Sequence, residues 1–431
     1  MTLELITILV VTGVGVALAL LLDREARGMI AIGEGMLLGM GAGSAALFAF
    51  AVAGIRWGRP LLMTTAVTVA AVAWWFARRR ARAVVDLVHY SPASAVFDAI
   101  SIVGMAGYAA LSTIAPIWEF DYLGDWGLKG RLFWEARGID WPFLEHAFHR
   151  AIHPDYPLLL PLSFDVLAVA RGEWNDRALG LLNVVFALAL LLVARRLAVE
   201  ETGSAVGGAF IAAALLPFAA SPWIGLAEAP LAAYATVAIL LLRVDDSRVT
   251  IAAVLLGLAA SAKNEGLTLI VAVAIALVVA GRARLLPRLW PAVAIPLPWL
   301  LLRLTRDIPT DLATGNVLSR VAAHMEDPGQ LLGALARYPV GKPFYWVGII
   351  AAFALLRSRL VTRERFALTA IVVQFAFYIG AYLSSPHDLD WHLRWSWERV
   401  VSHLTPALTY IVLVQLTRVA VARKPQPSPA D

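Results

Sequence analysis

The chain is a train of apolar runs separated by short polar punctuation. A bilayer-spanning helix needs about 20 apolar residues, and residues 2–22, 29–55 and 61–77 supply three in succession. The cluster Arg78-Arg-Arg-Ala-Arg82 follows. Basic residues gather at the cytoplasmic ends of spans, so this cluster sets the third helix end inside and the N-terminus outside. A fourth helix, 95–117, runs back out. Residues 119–174 are too polar to cross. They predict an amphipathic helix near Leu128–Ala136, a Pro-punctuated extended path from Pro154 to Pro161, and a short apolar piece, 157–170, lying at the interface. Spans at 176–197, 204–221 and 226–243 come next, with Arg195, Arg196, Arg243 and Arg248 at inner ends.

Residues 249–281 form one apolar run broken by Lys263-Asn-Glu-Gly266. Two readings fit, a short hairpin with an outer tip or a re-entrant break. In either case the charges avoid lipid, where an unpaired charge is costly. The basic loop Arg282–Arg288 is inside, and a Pro-rich helix, 289–304, leads to a polar outer segment, 305–343. Helices at 344–357, 366–384 and 401–418 complete the set, with Arg357–Arg365 inside and 384–399 forming a third outer loop. The pattern predicts an all-α fold, a polytopic transmembrane helix bundle of about 13 spans, N-terminus out and C-terminus in. It divides into three N-terminal helices with a basic linker (1–94), a catalytic domain (95–420) with outer loops 118–174, 305–343 and 384–400, and a disordered cytoplasmic tail (421–431). No internal repeat of the transporter kind is visible.

Composition agrees with this reading. Of the 431 residues 60% are hydrophobic and 16% charged, with a mean hydropathy of +0.73. A soluble domain carries about 25% charged residues, so the chain reads as an integral membrane protein. The absence of cysteine excludes thiolate metal sites, disulfides and cysteine nucleophiles. The net charge of +5 comes from arginines at the ends of apolar runs, which marks topology and not nucleic-acid binding. Residues 2–22 lack a basic leader and a clear cleavage site, and are expected to stay as a helix.

The chemistry concentrates on one face. On the predicted topology the first loop, the Lys263–Gly266 tip, the 305–343 segment and the 384–399 loop all open outward. They bring carboxylates (Glu119, Asp121, Asp125, Asp155), cations (Lys129, Lys263, Arg394, Arg399) and histidines (His153, His392) beside many aromatic rings. This set suits a phosphorylated amphiphile. Cations hold the phosphate, aromatic rings hold sugar or apolar surface, and a carboxylate deprotonates a nucleophile. Each residue also has a plainer explanation. Asp121 is a favoured helix N-cap type. Asp125 and Lys129 have the i,i+4 spacing of a salt bridge, although Gly124 and Gly127 weaken a helix there. His153 and Asp155 sit among three prolines that force an extended path, where a structural turn is the plainer role. Lys263 has Glu265 as an alternative partner, and Arg394 and Arg399 suit an aromatic anchoring belt. Glu34 and Asp98 lie near inner helix ends as packing or interfacial charges. No H-E-x-x-H set marks a zinc site.

Several segments recur in a telling order: the acids of Trp118-Glu-Phe-Asp-Tyr just after a helix; the Pro-rich His153–Pro161; and Glu173-Trp-Asn-Asp-Arg177 before the next span. Then come the acidic helix start Ala227-Glu-Ala-Pro-Leu231, the stretch Leu258–Leu267 around Lys263, and Trp391–Arg399 before the last helix. In this order they resemble the GT-C superfamily of polyprenyl-phosphate-sugar-dependent glycosyltransferases, such as protein O-mannosyltransferases and lipid A aminoarabinose transferases. Leu258–Leu267 is similar to that family's Gly-Leu-Ala-x-x-Thr-Lys stretch. The likeness spans 95–420. Two departures stand out: three helices precede the family-like first helix, and Glu119-x-Asp121 replaces an Asp-Glu or Asp-x-Asp pair.

The resemblance implies a GT-C-like fold and inverting transfer of a sugar from a polyprenyl-phosphate-linked donor to a hydroxyl of a lipid, glycan or protein acceptor. It sets the reaction at the extracytoplasmic face of a bacterial cytoplasmic (inner) membrane. Asp121 is the expected base, shielded from water by Phe120 and Tyr122, and Glu119 is the alternate. Asp125, Lys129, His153, Asp155, Tyr156, Lys263, Glu265, His392, Arg394 and Arg399 are the expected substrate contacts. No cofactor is implied, and a divalent metal is left open. Two rivals remain, a transporter or flippase of lipid-linked sugars and a polymerase or ligase using lipid-diphosphate saccharides.

Overall fold

Lipid offers no hydrogen-bond partners, so an apolar run must satisfy its backbone internally, and a helix does this within one segment. The computed structural model describes residues 2–78, 91–310, 316–326, 328–337, 343–356 and 358–422. The basic residues 79–82, Arg357 and the tail 423–431 lie outside the described residues. Among the described residues every regular element is helical. Four helices open the chain: α1 (Thr2–Leu22), α2 (Gly28–Val52), α3 (Arg59–Ala77) and α4 (Pro92–Ile114). Then come α5 (Gly127–Ala136), α6 (Leu159–Arg171), α7 (Leu181–Thr202), α8 (Ala205–Ala219) and α9 (Glu228–Val244). The chain continues with α10 (Val249–Ala262), α11 (Glu265–Val279), the bent pair Ala283–Ala294 and Leu297–Thr305, and Pro343–Leu356. It closes with α12 (Arg365–Ser384), α13 (Leu389–Ser402) and α14 (Thr405–Ala422). Among the described residues seven helices are long and apolar enough to cross a membrane, and eight if the bent pair counts as one span. These are α1 to α4, α7 with its preceding turn, α12 and α14. The chain is a membrane protein by this measure.

The centre of the bundle is α9, whose residues from Glu228 to Leu242 are all buried. It packs on α7, α10, α12 and α14. By contrast α3 and α4 bury only a minority of their surfaces and turn Trp74, Trp75, Ile102 and Val103 outward, as lipid-facing helices do. Contact between α1 and α2 depends on missing side chains. A β-carbon at Gly15 would collide with the Gly35 carbonyl oxygen, and small residues permit this backbone approach between apolar helices.

Both ends of α9 are locked by charge, with acid at its N-terminus and base at its C-terminus, the sense the helix dipole favours. At the C-terminal end Arg243 pairs with Glu201 at 2.7 Å and with Glu364, and Arg418 joins Glu201 at 2.8 Å. Nearby, Asp98 grips Arg195 through two 2.7 Å bonds. The residues assigned to inner helix ends are thus gathered about 22 Å, at 1.5 Å per residue, from Glu228.

Three segments differ from expectation, and a fourth, 249–281, takes one of the two forms expected of it. Residues 249–281 form a hairpin with its tip at Lys263. Arg284 at the far end of α11 pairs with Asp246 before α10 at 2.8 Å, so both legs begin and end together. The 157–170 piece does not lie on a surface. Leu159 through Ala170 are all buried, Ser163 and Asp165 among them, because α1, α2, α3 and α5 pack around this helix. The Pro-rich helix bends by 51° where Pro296 removes a ladder hydrogen bond. Much of the third outer loop is helix α13, started by Asp388, whose side chain accepts the Trp391 amide.

Candidate active site

Five charged side chains from four segments converge at the N-terminus of α9. Glu228, its first residue, is buried and acts as the hub. Its Oε1 accepts Lys263 Nζ at 3.1 Å and Arg399 Nε and Nη2, both at 2.9 Å. Lys263 lies at the tip of the α10–α11 hairpin and also pairs with Glu265 at 3.0 Å. Arg399, on α13, turns its Nη1 to Asp121 of the first loop at 2.6 Å. The chain of contacts runs Asp121–Arg399–Glu228–Lys263–Glu265. Burial disfavours the Arg399 charge, yet Glu228 and Asp121 more than offset this and hold the guanidinium charged. Glu119 shares the same field. Burial raises its carboxyl, with Arg399 opposing and Asp121 and Glu228 adding to the rise.

Backbone geometry makes the hairpin tip tight. A β-carbon at Gly266 would strike the Ala259 and Ala260 backbone, so glycine there lets Lys263 and Glu265 project side by side. Behind them Gln374 donates to the Glu265 carbonyl at 3.1 Å, and the buried His403 meets the Tyr378 hydroxyl at 3.2 Å.

Asp121 does not cap its helix. It precedes a π-helical turn, Tyr122–Trp126, with no side-chain capping bond, and its carboxylate goes to Arg399 instead. The expected aromatic shield is absent. Phe120 is 84% exposed, and the Tyr122 hydroxyl donates to Asp176 at 2.5 Å. Gly127 explains the turn of Tyr122, since its ring packs where a β-carbon would stand. Asp121 itself remains 34% exposed.

The other expected contacts lie apart from the hub. Lys129 is fully buried, paired with Asp125 at 2.5 Å and donating to the His153 carbonyl at 2.6 Å. This is the salt bridge that the i,i+4 spacing allowed, and its burial removes both groups from a substrate's reach. His153 takes a left-handed backbone and stacks on Tyr156 at 4.5 Å. Buried Asp155 stands 3.8 Å from Arg303, which ties the first loop to the bent helix. His392 packs edge-on to Tyr382 at 4.8 Å, and Arg394, 63% exposed, pairs with Asp390 at 3.4 Å. These residues pair within and between the loops and not with the cluster.

Burial pushes the Asp125 carboxyl up to about 6, with the Lys129 ammonium pulling it down. A folded-state value above the ordinary one of about 4 means that the folded chain holds this proton more tightly. Its contribution to stability is therefore full below about 4 and lost as pH rises through about 6. Lys129→Met removes the compensating charge and should deepen the loss. We expect thermal unfolding to show a larger deficit against wild type at pH 8 than at pH 5. An equal deficit at both would mean that Asp125 does not titrate against Lys129.

No family model matches the chain, and neither does any curated protein or solved structure.

Proposed function

We propose that the chain is a membrane glycosyltransferase of the GT-C kind, with about 13 membrane passes. The shorter helices α8 to α11 would be passes sheltered inside the bundle. It would move a sugar from a polyprenyl-phosphate donor to an acceptor hydroxyl with inversion, at the extracytoplasmic face of a bacterial cytoplasmic membrane. The observation that carries this reading is the contact chain from Asp121 to Glu265, which joins a buried lysine and a partly buried arginine to a partly exposed carboxylate. Two cations facing three carboxylates form no ready anion site. A donor phosphate must therefore displace a carboxylate, and Asp121 is the most exposed of the three. Arg399 then turns to the phosphate, Asp121 is freed, and it takes the proton of the attacking hydroxyl. The acceptor oxygen bonds to the anomeric carbon as the sugar–phosphate bond breaks, and the lipid phosphate leaves with its charge on Lys263 and Arg399.

Protein in nanodiscs, given a polyprenyl-monophosphate monosaccharide and envelope lipid extract, is expected to release polyprenyl monophosphate in step with sugar transfer. Release from a polyprenyl-diphosphate oligosaccharide alone would favour a polymerase or ligase. Movement of intact donor between leaflets without release would favour a flippase.

Sidedness is testable because the chain has no cysteine. Phe148 is 90% exposed in the first outer loop, and the Arg284 side chain is 79% exposed at the opposite end. Phe148→Cys should react with an impermeant thiol reagent in intact cells, and Arg284→Cys only after permeabilisation. The reverse pattern would turn the site to the cytoplasm and favour a nucleotide-sugar donor.

A further inference from the structure

A cavity of about 110 Å³ opens beside α9. It borders Glu228 at the top and runs down to Ala233, five residues or about 7.5 Å along the axis. Its walls carry Phe186, Phe218, Trp223, Trp346 and Trp397. An apolar chamber of this kind at the foot of a charge cluster asks what meets the charge.

Glu228 divides its two oxygens. Oε1 takes the donors of Lys263 and Arg399, whereas Oε2 is buried with no hydrogen-bond partner among the described residues. A buried carboxylate oxygen left without a donor is costly, and native structures supply one. A ligand donor in the cavity would meet that need. An ammonium at Oε2 would face the charges of Lys263 and Arg399, both seated on Oε1 of the same carboxylate. An anion is disfavoured by Glu228 itself. A hydroxyl supplies one donor and no charge, and the aromatic walls suit an apolar body behind it.

We propose that this cavity is a binding site for a neutral, hydroxyl-bearing membrane amphiphile, whose O–H donates to Glu228 Oε2 and whose apolar body lies along α9. The site shares Glu228 with the cluster assigned to sugar transfer but engages the other oxygen, Oε2. Arg399 presents Nη1 to Asp121 and its Nε–Nη2 edge to Glu228, so the guanidinium stands between Asp121 and Glu228. The inference therefore holds or fails independently of the transfer reaction.

The test compares binding of 1-dodecanol, 1-methoxydodecane and dodecane to the full chain in nanodiscs, with a diazirine-bearing dodecanol to map the site. A hydrogen bond to a charged group is worth about 1.5–3 kcal/mol, so the alcohol should bind saturably and at least about tenfold more tightly than the ether. Crosslinks should fall on Phe218, Trp223 or their neighbours. Ala232→Phe, which fills the cavity, should abolish saturable alcohol binding, and Ala229→Val, a milder filling, should weaken it if the first variant does not fold. Equal affinity for all three probes would mean an unselective apolar cleft and overturn the proposal. Absence of saturable binding, or crosslinks confined to other helices, would overturn it as well.

Discussion

Glu228→Gln should destabilise the protein by about 3–5 kcal/mol, the usual consequence of removing one partner from a buried ion pair. A glutamine offers one neutral carbonyl oxygen where Glu228 gives a charged one to three donor contacts. Lys263 keeps Glu265 and Arg399 keeps Asp121, so the cluster would split into two pairs and not scatter. The damage falls on the first turn of the central helix, and the unfolding temperature in detergent is the readout. The charge-balanced double variant Glu228→Gln/Lys263→Met removes one orphaned cation with the carboxylate, and should recover a good part of the loss. If Glu228→Gln melts with wild type, Glu228 is not the hub, and the cations are held by Glu265 and Asp121 alone. If the double variant is worse than the single, Lys263 is needed for Glu265 more than for Glu228.

Much of the helical order was legible because an apolar run of membrane length has few alternatives. Lys263 and Glu265 stood out as charges inside such a run, and Asp121 and Arg399 as charges in aromatic outer segments. What the sequence conceals is distance. Glu228 is 107 residues from Asp121 and 171 from Arg399 in the chain. As one acid at the start of an apolar helix it reads as an ordinary dipole-compatible residue. Its signal was the combination of acid, Pro230 and a fully apolar helix behind them, which leaves the carboxylate no route to water. Lys129 erred in the other direction. It counts among the expected substrate contacts, but its i,i+4 spacing seats it on Asp125 and both are buried. The 157–170 segment failed for a related reason. Length alone separates a spanning helix from a shorter one, and it does not tell a surface helix from one enclosed by protein.

Asp121→Asn should lower sugar transfer by at least about 100-fold, the lower end of general-base contributions, while donor binding persists or tightens. The direction of the binding change is what the geometry adds. Asp121 and the donor phosphate compete for the same edge of Arg399, which Asp121 holds at 2.6 Å. An asparagine keeps the size of the side chain and loses the charge, so Arg399 is released to the phosphate. Transfer rate and lipid affinity should therefore part company, the first falling and the second unchanged or higher. The variant should fold, because Asp121 is partly exposed and exposed ion pairs contribute at most about 1 kcal/mol. Glu119→Gln is the control. It lies two residues away in the same field and should lose far less activity if Asp121 is the base. Full activity of Asp121→Asn with a dead Glu119→Gln would move the base to Glu119. Full activity of both would remove the first loop from the chemistry and bring the transporter reading forward.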